Sequence, residues 1–148
     1  MGTKEDVPIP ECIILKQKIV SNEHDITFVD TRGLDGKTGT TRPDIFDYIE
    51  GERNICVLCS SFGDAPDLNI RQLFSDTTEM GIKDALDERV LILVADRNES
   101  KDVPDATSFE DGRIIKKEEI SDELLKSRHS FNSDCIEFIN VMDRSEKE

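Results

Sequence analysis

The sequence predicts an α/β fold in three layers: a sheet with parallel βαβ units, one antiparallel hairpin at its edge, and helices on both faces. Two nearly continuous apolar runs, at residues 54–60 and 89–95, are typical of strands buried on both faces of a sheet. A helical pattern separates these runs, and helices alternating with such strands indicate parallel crossovers. Two earlier apolar segments joined by a short polar turn predict the hairpin.

The composition is typical of a single acidic domain. A chain of 148 residues is long enough to bury a sizeable core within one domain. We assign this domain to residues 11–142, with a loose lead-in at 1–10 and a frayed tail at 143–148. The formal net charge of -14 disfavours nucleic acids and anionic membranes as partners, because both are polyanions. It favours solubility or a cationic partner.

The cysteines predict a reducing compartment. Three of the four lie in apolar runs, and Cys56 and Cys59 are three positions apart, so they point to opposite faces of a strand. They are therefore poorly placed to form a disulfide or to share a metal, and buried thiols are the better interpretation. No apolar stretch approaches the roughly 20 residues that a membrane helix needs. We expect a cytoplasmic protein.

The first predicted elements are the two strands of the hairpin. Apolar and polar residues roughly alternate over residues 11–20, as expected of a half-buried strand near a sheet edge. A polar turn at 21–25 leads to a second, β-rich run at 26–30 that ends in an acidic residue. The shortness of the connection predicts antiparallel pairing.

A loop and a short helix follow. Residues 31–41 contain three glycines and mixed polar side chains, a composition typical of a loop. We expect a helix to begin near Pro43 with Thr41 as its N-cap, and to end at Gly51.

The second half contains further predicted helices. Residues 67–87 show a helical pattern with Asp67 as the expected N-cap and a break at Gly81. After the strand at 89–95, residues 98–112 are charged and turn-rich and predict an exposed loop. Two more helices are predicted, at about 121–128 and about 133–142.

The most informative segment is Asp30-Thr31-Arg32-Gly33, at the end of the second strand. A carboxylate at the end of a strand occupies the place where open α/β sheets bind ligands. A glycine three residues later lets a backbone amide approach a phosphate oxygen without a Cβ in the way. The alternative interpretation is that Asp30 only stabilises a turn.

Residues 11–95 resemble the downstream part of a P-loop NTPase core of the TRAFAC GTPase-like type, from its second strand through the D-x-x-G motif onward. The resemblance implies that Asp30 is the magnesium-linked carboxylate and that the amide of Gly33 senses the γ-phosphate. It places Thr31 and Arg32 in the switch loop. The implied ligand is Mg²⁺ with ATP or GTP.

Two family motifs are absent. No G-x-x-x-x-G-K-[ST] phosphate loop occurs, and the nearest approach is TRGLDGKT at 31–38. Lys37 and Thr38 are candidate nucleotide-binding residues if this segment is a degenerate phosphate loop, but Gly39 to Pro43 then replace the expected helix. The guanine-reading N-K-x-D is replaced by DRNE at 96–99, which leaves the base open.

Three functions follow from these observations. In the first, the chain is a partial NTPase-like domain that hydrolyses a nucleotide only if a phosphate loop is supplied elsewhere. Because the missing strand lies mid-sheet in this family, the chain would then be a fragment, degenerate, or completed by an N-terminal segment or a partner protein. The second is a non-catalytic protein-interaction domain on the same scaffold. The third is a small Mg²⁺-dependent phosphohydrolase that uses Asp30 with Asp64 or Asp96.

Overall fold

The computed structural model of the chain describes residues 12–15, 27–31, 43–126 and 130–142. The chain divides into two compact units, Met1–Asp35 and Gly36–Glu148. The predicted lead-in, the predicted tail and the expected N-cap Thr41 lie outside the described residues.

The first unit contains a two-stranded antiparallel sheet. Strand β1 is Cys12–Leu15 and strand β2 is Phe28–Thr31. Cys12 lies opposite Thr31, and Leu15 lies opposite Phe28. Asp30 therefore occupies the second-to-last position of β2. The prediction that this hairpin forms an edge of the larger sheet stays a prediction.

The second unit contains a three-stranded parallel sheet in the order β3-β4-β5. Its strands are β3 (Cys56–Ser61), β4 (Val90–Asp96) and β5 (Ile136–Asn140). Cys56 pairs with Val90, and Ile92 pairs with Ile136. The predicted α/β class with parallel βαβ units is confirmed.

Four α-helices accompany this sheet: α1 (Pro43–Glu50), α2 (Leu68–Met80), α3 (Lys83–Arg89) and α4 (Phe109–Lys126). Helix α2 has the predicted boundaries. The Asp67 carboxylate accepts a hydrogen bond from the Ile70 amide at 2.9 Å, and Gly81 ends the helix with a left-handed φ of 78°. The Arg89 guanidinium donates to the carbonyl oxygens of Ile49 and Glu50 at 3.3 and 2.8 Å, which ties the ends of α1 and α3 together.

The C-terminal third differs from the prediction in two places. The helix expected at 133–142 is a short 3-10 turn, Ser133–Cys135, followed by strand β5. A short apolar run fits both periods, and pairing with β4 favours the strand. The helix predicted at 121–128 is present over its described residues, but it is the last part of the longer helix α4, which begins at Phe109. The loop expected at 98–112 therefore ends earlier, and it contains a 3-10 turn, Glu99–Asp102. Charged residues interrupt the apolar stripe of α4, so the hydrophobic pattern in the sequence predicts a shorter helix than the structure has.

The core lies against one face of the parallel sheet. Along β4, Val90, Ile92 and Val94 are buried, whereas Leu91 and Leu93 on the opposite face are partly exposed. The two crossovers run in the same direction across the sheet, and right-handed connections of this kind place α2, α3 and α4 on the same face. An ion pair between α2 and α4 and an edge-to-face ring contact between Phe74 and Phe131 lie within this layer.

The other face of the sheet is less covered. Its residues on β3 include Val57, which is 46% exposed, and Cys59, which is also exposed. The two cysteines of β3 therefore lie on opposite faces, as the sequence predicts. Helices on both faces of the sheet stay a prediction.

Helix α4 lies very close to the backbone that follows β4. A Cβ added at Gly112 would lie 1.8 Å from the carbonyl oxygen of Ser100. Gly112 therefore permits this approach, because it has no side chain. Glycine is a poor helix former, but any larger residue here would clash with the Ser100 backbone.

We expect Gly112→Ala to lower the free energy of unfolding by about 2 kcal/mol or more, because the added methyl group must displace α4 or the Ser100 backbone. Gly63→Ala is the matched control, since the nearest atom to its added Cβ is the Glu99 carboxylate oxygen at 4.0 Å. Urea denaturation of both variants measures the difference. Equal stability of the two variants would contradict the close approach of α4.

Candidate functional site

The predicted nucleotide-binding loop begins in the first unit. Asp30 is exposed and pairs in register with Ile13, and Thr31 ends the strand. The other predicted ligand-binding residues, Arg32, Gly33, Lys37 and Thr38, lie outside the described residues. Their roles, and that of Asp30 as the metal-linked carboxylate, stay predictions.

A second place for ligands is the carboxyl edge of the parallel sheet. Because parallel strands end at the same edge, Ser61, Asp96 and Asn140 mark one border of the second unit. Open α/β sheets bind their ligands along this border. The chemistry at the ends of β3 and β4 differs.

A polar depression with a volume of about 440 Å³ lies at the end of β3. It is lined by Cys59, Ser60, Ser61, Asp64, Asp67, Leu68 and Arg71. Within it, the Ser61 hydroxyl donates to the Asp64 carboxylate at 2.6 Å. The Asp67 carboxylate is occupied by capping α2. The depression therefore joins the strand end, the following turn and the first turn of α2.

Two polar atoms of this depression are buried without a hydrogen-bond partner among the described residues. They are the hydroxyl oxygen of Ser60, a residue only 8% exposed, and the Nε of Arg71. The Nη1 of Arg71 lies 3.6 Å from the Glu123 carboxylate, in an ion pair whose two side chains are both partly exposed. Burying a donor without a partner costs about 1–3 kcal/mol, so such groups indicate a candidate binding site.

The end of β4 carries a saturated polar cluster. The fully buried carboxylate of Asp96 accepts hydrogen bonds from the Ser100 amide at 3.3 Å, the Ser100 hydroxyl at 2.6 Å and the Arg113 Nε at 3.2 Å. Burial alone would raise the pKa of Asp96. The hydrogen bonds from Ser100 and Arg113 outweigh burial and hold this pKa below its usual value. Asp96 is therefore an ionised carboxylate that anchors α4 to β4.

The neighbouring strand end is tied to the same loop. The side-chain amide of Asn140, at the end of β5, donates to the Asn98 side chain at 2.9 Å. The Val141 amide donates to the Asp96 carbonyl oxygen at 2.9 Å. These contacts connect the ends of β4 and β5. The polar atoms without described hydrogen-bond partners lie instead in the depression at the end of β3.

The described residues offer little for metal binding. In these parts of the chain, no group of three or more histidine, cysteine, aspartate or glutamate side chains could hold a metal ion. Burial, with a smaller contribution from nearby Cys59, raises the pKa of the Cys56 thiol, which disfavours the thiolate that a metal would need. Asp64 and Asp67 lie in the same depression, but each already accepts a hydrogen bond.

Comparison with known proteins gives no family. No protein-family model, curated protein or solved structure matches the chain. Across the described segments, no helix has the length and apolar character needed to cross a membrane.

Sequence reasoning named some of these residues and missed others. The sequence predicts Asp96 and Asp64 as candidate catalytic carboxylates, and in the structure the Asp96 carboxylate accepts hydrogen bonds from Ser100 and Arg113. Arg71 gave no sequence signal, because an arginine in the first turns of a helix is ordinary. The missing partner of Ser60 depends on packing and is invisible in a sequence.

We expect Asp96→Asn to destabilise the protein at neutral pH by about 3 kcal/mol, because Arg113 loses its buried counter-charge. The folded-state pKa of Asp96 is lowered, so its ionisation stabilises the wild type above the unfolded pKa. That contribution is lost as the pH falls through the folded pKa.

The stability difference between wild type and Asp96→Asn should therefore narrow as the pH falls below about 4. Urea denaturation across this pH range measures it. The exposed Asp122→Asn is the matched control and should change stability little at any pH. A difference for Asp96→Asn that stays constant with pH would show that its ionisation is not linked to folding.

Proposed function

We propose that the chain is a partial P-loop NTPase-like domain that binds a magnesium-bound nucleoside triphosphate through the loop beginning at Asp30. The observation that supports this proposal is the chain order of the elements. A strand with an exposed Asp30 near its end precedes α1, and α1 precedes the parallel strands β3 and β4. This is the order that the resemblance implies after D-x-x-G, and β5 extends the parallel series by one more strand.

In this proposal, the Asp30 carboxylate is linked to Mg²⁺ and the Gly33 amide senses the γ-phosphate. Thr31 and Arg32 belong to the switch, where the Arg32 guanidinium adds a charge contact to phosphate. Lys37 and Thr38 contact the phosphates from the same loop. Hydrolysis requires a phosphate loop from outside these 148 residues, because this loop holds the β- and γ-phosphates.

The edge strand of the parallel sheet supports the idea of a missing neighbour. Strand β3 pairs with β4 on one side, and its other edge pairs with no strand that the structure describes. An unpaired strand edge is a template for another strand. We propose that a further segment or another chain completes the sheet here. The same proposal includes two further features: β1 and β2 form an antiparallel edge of the completed sheet, and helices cover its second face.

The second candidate is a non-catalytic interaction domain, and the exposed face of the sheet favours it. Val57 and Cys59 on β3 are exposed there, and Leu93 on β4 is partly exposed. A sheet face of this kind fits a protein partner. We place either version of the protein in the cytoplasm, since Cys56 and Cys135 are unpaired thiols. The version of the phosphohydrolase alternative that pairs Asp30 with Asp96 has less support, because the Asp96 carboxylate is occupied by structural hydrogen bonds. The version that pairs Asp30 with Asp64 stays a prediction.

A thermal melt with Mg²⁺ plus ATP or GTP tests the proposed ligand. We expect one nucleotide to raise the melting temperature of the wild type, because a ligand that binds only the folded state stabilises it. The increase should disappear in Asp30→Ala, which removes the proposed magnesium-linked carboxylate. Asp47→Ala, which removes an exposed carboxylate from α1, is the matched control and should keep the increase.

Three other outcomes discriminate between the candidates. An increase that persists in Asp30→Ala would contradict the proposed role of the D-x-x-G loop. No increase with either nucleotide would favour the interaction domain. Turnover of a simple phosphate ester by the isolated chain, lost in Asp30→Ala, would favour the phosphohydrolase.

A further inference from the structure

The depression at the end of β3 carries two donors that the described part of the protein leaves unsatisfied. The Ser60 hydroxyl and the Arg71 Nε are both buried there without a hydrogen-bond partner. An alanine at position 60 would avoid burying a hydroxyl. The donors are therefore explained best by an acceptor oxygen that a ligand brings into the depression.

Helix α2 adds a further attraction for such an oxygen. Its 13 residues begin at Leu68, which lines the depression. The N-terminus of a helix carries a partial positive charge. The Asp67 carboxylate, which caps the Ile70 amide, already offsets part of this charge. Ser60 and Arg71 therefore supply the main attraction for the acceptor end of a ligand, and the terminus adds to it.

The carboxylates of the depression exclude a simple anion. Among the described lining residues, Asp64 and Asp67 contribute two negative charges and Arg71 contributes one positive charge, whose guanidinium also lies 3.6 Å from the Glu123 carboxylate. A phosphate would be repelled by both aspartates. The Asp64 carboxylate accepts one hydrogen bond, from Ser61, and retains the capacity to accept others. A ligand that fits must therefore carry a cationic donor beside its acceptor oxygens.

We propose that this depression binds a small zwitterion of the amino-acid type, with its carboxylate on Arg71 and Ser60 and its ammonium group on Asp64. The guanidinium of arginine matches a carboxylate in shape and charge. The ligand as a whole is neutral, so it enters an acidic protein without net repulsion. This site is independent of the proposed nucleotide loop, since none of its lining residues belongs to that loop.

Backbone amide shifts in ¹H–¹⁵N NMR spectra test the proposal with the free L-amino acids, each titrated separately. At least one of them should shift the amides of residues 60–64 and Leu68 in a saturable way. Acetate and inorganic phosphate, which lack the ammonium group, should bind more weakly. The same spectra of Asp30→Ala should show unchanged binding, so failure here and failure of the nucleotide proposal are distinguishable.

Two variants test whether the ligand binds at Ser60 and Arg71. Ser60→Ala and Arg71→Gln should each weaken binding about tenfold or more, which corresponds to about 1.4 kcal/mol. Arg53→Gln removes a positive charge from an exposed position before β3 and should leave the dissociation constant unchanged. Ser60→Ala should melt at the same temperature as the wild type or higher, because it removes a buried hydroxyl without a partner.

Several results would overturn the proposal. One is the absence of a saturable shift with any amino acid. Another is saturation by inorganic phosphate alone, which would make the depression an anion site. Unchanged binding in Ser60→Ala would also exclude the proposed contact between the ligand carboxylate and Ser60. If Arg71→Gln unfolds, the Ser60→Ala result still decides the test.

Discussion

The structure of the second unit depends on strand β4, which is paired on both sides. It hydrogen-bonds to β3 and β5, and both pairings are parallel. Parallel strands require crossovers, so this pairing fixes the positions of α2, α3 and α4 along the chain. Alternate side chains of β4 are buried, and the residue at its end, Asp96, holds α4 in place. A loss of β4 would remove the partner of every other strand in this sheet.

The polar groups at the carboxyl edge divide into two classes. The carboxylate of Asp96 is saturated by Ser100 and Arg113, so it contributes to stability and is unsuited to act on a substrate. The Ser60 hydroxyl and the Arg71 Nε have no such partners in the described structure. A saturated network fixes the fold, whereas an unsatisfied donor retained in the interior is a candidate for ligand binding. The hydrogen-bonded groups thus lie at the end of β4, and the buried groups without described partners lie at the end of β3.

The sequence predicted most of the elements that have a strong local signal. The apolar runs located β3 and β4, and Asp67 and Gly81 marked the ends of α2, because capping is local chemistry. Strand β5 could not be distinguished from a helix, because its five residues show no clear period and its pairing with β4 is a long-range contact. The sequence predicts only the C-terminal part of helix α4, because charged residues interrupt its apolar stripe. The D-x-x-G segment was visible in the sequence, but the unsatisfied hydroxyl of Ser60 required a packed structure.

Among the strands that the structure describes, β4 is central in the parallel sheet and β3 lies at its edge. Hydrogen exchange of the isolated, monomeric chain measures this directly, because an amide paired within a sheet exchanges far more slowly than one facing solvent. We predict that the amides of β4 are the best protected in the sheet. Alternate amides of β3, those directed away from β4, should exchange fast. Strong protection of every β3 amide in the monomer would show that the edge is already covered, and would contradict a sheet that needs completing.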